Sequence, residues 1–140
     1  MKSFLMSFLV LALLISNNCE AQTEVKASDD QVIKPDIEVY YFHFSRRCNT
    51  CVSVEKNTQL SLEKLYPEQL KSGTYIFQAV NLDETESEAL AKRLGVSAQT
   101  LLIVHGDKKT DITGDGFMYY NNEEKLQSII KKSIEDLLKS

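Results

Sequence analysis

Residues 37–44, Ile-Glu-Val-Tyr-Tyr-Phe-His-Phe, are dense in β-branched and aromatic side chains and read as a central strand. Arg46-Arg47-Cys48-Asn49-Thr50-Cys51 follows at once, and from Cys48 to about Tyr66 the pattern becomes helical, with Leu62, Leu65, Tyr66 and Leu70 at helical spacing. A buried strand that gives way to an apolar-faced helix must place that helix on a sheet, which argues for alternating strands and helices. Pro67 must kink or restart the helix, and Gly73 ends it.

The rest of the chain continues the alternation. Residues 75–82 read as a second strand. Thr85-Glu86-Ser87-Glu88 has the form of a capping box before a short helix that ends at Leu94, with Gly95 as its left-handed cap. Leu101-Leu102-Ile103-Val104 is a third buried strand, and Gly114-Asp115-Gly116 reads as a hairpin turn with strands on both sides. A last helix starts at Asn122, with Glu123 and Glu124 in its first turn. Its apolar face runs through Leu126, Ile129, Ile130, Ile134, Leu137 and Leu138. This order predicts an α/β fold over residues 37–140, a central mixed sheet whose first strands are parallel and which carries helices on both faces.

Ahead of that domain, residues 1–21 have the form of an export signal. Lys2 precedes an apolar stretch over residues 4–15, too short for a membrane span, and Cys19-Glu20-Ala21 places small residues where a signal peptidase cuts. Lipid attachment at Cys19 is the rival, disfavoured because Asn18 stands where a small residue is normal. Cleavage after Ala21 leaves a polar, flexible lead-in over residues 22–36 and a protein that is periplasmic or extracellular. It also removes the odd cysteine of three, leaving Cys48 and Cys51 as a pair in an oxidising compartment. With 16 basic and 20 acidic residues, a net charge of -4 and no basic run, the chain offers no electrostatic surface for nucleic acid.

A cysteine at a helix N-terminus faces unpaired backbone N–H groups and the positive end of the helix dipole, which stabilise a thiolate. Arg46 and Arg47 push the same way. Cys48 is thereby the nucleophile, and Cys51, on the same helical face, resolves a mixed disulfide. An inert local disulfide is the plainer alternative, although so short a loop constrains the unfolded chain little. His43 and His105 complete a Cys2His2 set of the size a zinc site needs. His105, however, ends the third strand, roughly 16 Å from its start at about 3.3 Å per residue, and reads as a surface histidine. His43 reads as an ordinary strand histidine that lies within reach of Cys48. Arg46 and Arg47 also read as solvated loop charges, and the glycine turn lacks the ligand spacing of an EF-hand.

From the strand, the CxxC at its end and the helix after it, the chain resembles the thioredoxin family over about residues 37–139. Residues 75–83 resemble the family's second strand with its terminal Asp, and residues 95–104 the stretch that leads into its third strand. Three departures stand out. Arg47 replaces the usual Trp, and Asn49-Thr50 replace Gly-Pro. Phe42, six residues before the first Cys, stands where many members bury an Asp. The family's cis-proline beside the CxxC falls on Gln99 or Thr100, where the cost of a cis bond before a non-proline, about 2.5–4 kcal/mol, predicts a trans bond. A polar side chain from Gln99 or Thr100 is then left near the sulfurs.

With the export signal, the resemblance implies an exported, monomeric thiol–disulfide oxidoreductase, and the departure at Gln99 and Thr100 implies a restricted client range. Its partners are protein thiols or disulfides and, for reduction, a membrane or periplasmic electron donor. No organic cofactor is implied, because the disulfide carries the two electrons. The alternatives are a metal-binding or metal-delivery module built on the CxxC, and a thioredoxin-like binding domain without turnover.

Overall fold

Strand β1 (Ile37–His43) is the axis of the molecule in a computed structural model that describes residues 34–140. The expected export signal, Cys19 and most of the expected lead-in lie outside the described residues. The period-two alternation of β1 divides its side chains between two cores. Ile37, Val39 and Tyr41 are fully buried against Val54 and Leu62 of α1 (Asn49–Leu65) and Leu126, Ile130, Ile134 and Leu137 of α5 (Glu123–Lys139). Tyr40 and Phe42 face the other way, against Ala91 and Leu94 of α3 (Glu88–Leu94). Helices therefore cover both faces of the sheet.

The sheet has the order β2-β1-β3-β4. β2 (Tyr75–Asn81) runs parallel to β1, from Ile37 opposite Tyr75 to His43 opposite Asn81. A parallel pair needs a crossover, which α1 and α2 (Pro67–Ser72) supply. β3 (Thr100–His105) is antiparallel to β1 and pairs Thr100 with Phe42, which brings the start of β3 to the end of β1 from which the CxxC departs. This α/β arrangement is compatible with a thioredoxin-like one.

Local signals set most boundaries. Pro67 occupies the first turn of α2, where a missing N–H costs nothing, and Gly73 and Gly95 close their helices in the left-handed conformation. Asn122 caps α5 by accepting the Lys125 N–H at 3.0 Å. Among the described residues every peptide bond is trans, including those at Gln99 and Thr100. No helix among them is long and apolar enough to cross a membrane.

Two expectations fail. Gly114-Asp115-Gly116 is not a hairpin turn but part of α4 (Thr113–Tyr119). The turn lies earlier, at Gly106-Asp107, where Gly106 takes φ 59 and joins β3 to β4 (Lys108–Asp111). Gly116 serves packing instead: a Cβ there would meet Leu101 Cδ2 at 2.8 Å, so its absence lets α4 settle on β3, whereas Gly114 faces open space. Thr113 starts that helix, its N–H donating to Asp111 Oδ1 at 2.8 Å. The capping box also does not form. Thr85–Ser87 make a 3-10 turn, which draws Thr85 inside the turn, and Ser87 Oγ donates to the Glu84 carbonyl at 2.8 Å.

Candidate active site

Cys48 is the N-cap of α1, with extended backbone at φ -85 and ψ 163. Its sulfur accepts the Cys51 N–H at 3.3 Å, so one of the orphan donors of the helix start is aimed at it. Cys48 is exposed and Cys51, one turn on, is 8% exposed; both are free thiols. The pair thus presents one sulfur to solvent with the other directly behind it.

Across the chain, Gln99 closes the inner side of the pair. Cys51 Sγ lies 3.6 Å from Gln99 Oε1, and Gln99 Nε2 donates to the Tyr41 hydroxyl. The expected polar neighbour is therefore Gln99. Thr100 turns away, its hydroxyl donating to the Ala98 carbonyl at 2.9 Å.

Burial alone would push the Cys51 thiol up. Hydrogen bonding with the Cys48 sulfur, with Gln99 and with the backbone at Cys48 and Cys51 outweighs it, and holds the thiol below its ordinary 9.0. A thiolate draws the Gln99 share of that support only from an amide N–H. Tyr41 moves the opposite way: burial first, with the Gln99 hydrogen bond opposing, pushes it up to about 12.

The two arginines differ. Arg46 is exposed, whereas Arg47 is half-buried, pairs with Glu55 and lies with its guanidinium carbon 6.0 Å from the Tyr41 ring centroid. Its charge is shared with Glu55, so the thiols do not face an uncompensated cation at Arg47. The loop before Cys48 is held from β2's end, where Asp83 Oδ2 accepts the Ser45 N–H at 2.7 Å.

His43 Nδ1 is 3.0 Å from the Phe44 carbonyl, and His105 Nδ1 is 2.8 Å from the Asp36 carbonyl at the far end of the sheet. The two histidines are thus not brought together. Among the described residues no group of three or more His, Cys, Asp and Glu side chains is placed to hold a metal ion.

One residue changes place. Phe42, read from its spacing as the occupant of the buried-acid position, lies in the α3 core, on the other face from the cysteines. Tyr41 is the β1 side chain on the Cys51 side. Strict alternation from Ile37 and Val39, both facing α1, identifies it; counting back from Cys48 does not, because the loop between strand and helix shifts the count. Glu55 was also legible, since Cys48, Cys51 and Glu55 fall at i, i+3 and i+7 on one helical face.

No protein-family model matches the chain, and no curated protein matches it.

Proposed function

We propose that this chain is an exported thiol–disulfide oxidoreductase of thioredoxin-like type. One observation carries the reading: the exposed Cys48 sulfur at the α1 N-terminus, accepting the Cys51 N–H, with the buried Cys51 sulfur behind it. Cys48 attacks a client disulfide as the thiolate, forming a mixed disulfide and releasing one client thiol. Cys51 then attacks the Cys48 sulfur, releases the second client thiol and leaves the Cys48–Cys51 disulfide. An outside dithiol donor, membrane-bound or periplasmic, returns it to the reduced state. Run in reverse, the same pair oxidises client thiols.

The support is electrostatic as well as geometric. The helix N-terminus aims an unpaired backbone N–H at the attacking sulfur. The lowered Cys51 thiol favours resolution. With Gln99 in the loop beside the sulfurs, the backbone there meets a client differently from a proline-bearing one, which favours a narrow client range.

The test is covalent trapping. Cys51→Ser incubated with a disulfide-bonded client protein accumulates a mixed disulfide at Cys48, detected by intact mass and released by dithiothreitol. Cys48→Ser forms none. Equal trapping by both variants, or by neither, removes the assignment.

A further inference from the structure

Gln99 sits between two groups that can each either give or take a hydrogen bond, the Cys51 sulfur and the Tyr41 hydroxyl. With Oε1 toward sulfur and Nε2 toward Tyr41, the amide accepts the S–H of a neutral thiol. A half-turn about the last side-chain bond exchanges the two ends. Nε2–H then donates to a Cys51 thiolate, and Oε1 accepts the proton of the Tyr41 hydroxyl. Both orientations satisfy all three groups, so the half-buried amide loses no hydrogen bond in either one.

Resting on the oxidoreductase reading, we infer that Gln99 is a catalytic residue whose amide turns over with the charge of Cys51, supporting the thiolate during resolution, and that Tyr41 positions it. Cys51–SH with the Cys48–client disulfide becomes the Cys48–Cys51 disulfide plus client–SH. The Cys51 proton passes to solvent water before attack, and the departing client thiolate takes up a proton from solvent. Gln99 carries no proton away and Tyr41 keeps its own; the pair supplies dipoles only.

The surrounding charges fit this division. Tyr41, held up to about 12, keeps its proton wherever a lowered thiol titrates. Arg47, whose guanidinium lies over the Tyr41 ring, pairs with Glu55, and the Cys48 sulfur accepts the Cys51 N–H. His43 lies along β1 with its ring 6.1 Å from that of Tyr41, and Asp115 of α4 is exposed. No carboxylate in this set stands at the sulfur as a base, which leaves a neutral amide as the immediate partner.

The experiment reads Cys51 alone, in the full chain carrying Cys48→Ser, as the pH midpoint of its iodoacetamide rate followed by mass on the Cys51 peptide. Gln99→Leu is expected to raise that midpoint by about one pH unit, a tenfold change in proton affinity. Gln99→Glu, isosteric but unable to donate, raises it at least as far. Tyr41→Phe raises it less, and combined with Gln99→Leu adds nothing further, because it acts through the amide. An unmoved midpoint in Gln99→Leu and Gln99→Glu overturns the inference, as does full additivity of Tyr41→Phe. These readouts need no client. Failed trapping with an intact Gln99 shift removes the oxidoreductase reading, while trapping without the shift removes the role of Gln99.

Discussion

The side-chain carbonyl oxygen of Gln99 lies 3.6 Å from the Cys51 sulfur, joining the residue just ahead of β3 to the first turn of α1. That contact depends on the antiparallel register that sets Thr100 opposite Phe42, which delivers the loop before β3 to the end of β1. The site is thus a product of sheet topology, and its two sulfurs are inequivalent because of it.

Inequivalence predicts selective labelling. Cys48 is exposed and Cys51 is 8% exposed under Gln99, so limiting iodoacetamide on the reduced, folded protein should modify Cys48 first. Peptide mapping decides it. Preferential adducts on Cys51 would reverse the assigned roles.

Arg47 and Glu55 should act as a unit. Arg47→Ala strands the Glu55 carboxylate near the pair and is expected to slow thiol alkylation at neutral pH by about two- to fivefold, the scale of a partly exposed ion pair. Adding Glu55→Gln should restore most of the rate. If Arg47→Ala alone changes nothing, the charge of this pair does not reach the thiols.

Asp83 anchors the loop that precedes Cys48. The Ser45 N–H, followed by the Ser45 hydroxyl, holds its carboxyl below the ordinary 3.8. A depressed carboxylate contributes stability that is present above 3.8 and lost as pH falls through the lowered value. Asp83→Ala should therefore speed hydrogen exchange at the Ser45 amide at neutral pH, and this difference should shrink in acid. Unchanged exchange would mean that the loop is held by other contacts.

At the alkaline end, Tyr40 and Tyr41 are both pushed up to about 12, each chiefly by burial. From their ordinary 10.0 to about 12 the unfolded chain has given up protons that the folded chain keeps. Their contribution is fully present below 10.0 and is lost as pH rises through about 12. Urea midpoints measured across that range should fall, and Tyr41→Phe should flatten part of the fall. A flat wild-type profile contradicts the buried placement of these rings.

What the sequence disclosed follows physical locality. The central strand from Ile37, the Pro67 restart, the glycine caps at Gly73 and Gly95 and the helix start at Asn122 are short-range effects, and the structure contains them. Gly114-Asp115-Gly116 misled because a glycine needed for close packing on Leu101 looks, in one dimension, like a glycine needed for a turn. The true turn at Gly106-Asp107 has a single glycine and a weaker signature. Cys48 and Cys51 were legible from their place at a strand–helix junction. The partnership of Gln99 with Tyr41 depends on long-range register, so the spacing count from Cys48 pointed to Phe42 instead.

The proposed activity requires Cys48 and Cys51 to exchange electrons as one dithiol. The direct measurement equilibrates the purified chain in graded mixtures of reduced and oxidised glutathione, then blocks free thiols and reads the mass and the modified peptides. Both thiols should disappear together in one two-electron transition to a Cys48–Cys51 disulfide, reversible from either side. Thiols at Cys48 and Cys51 that stay reduced across the series, or that end as separate glutathione adducts without the internal disulfide, would contradict it.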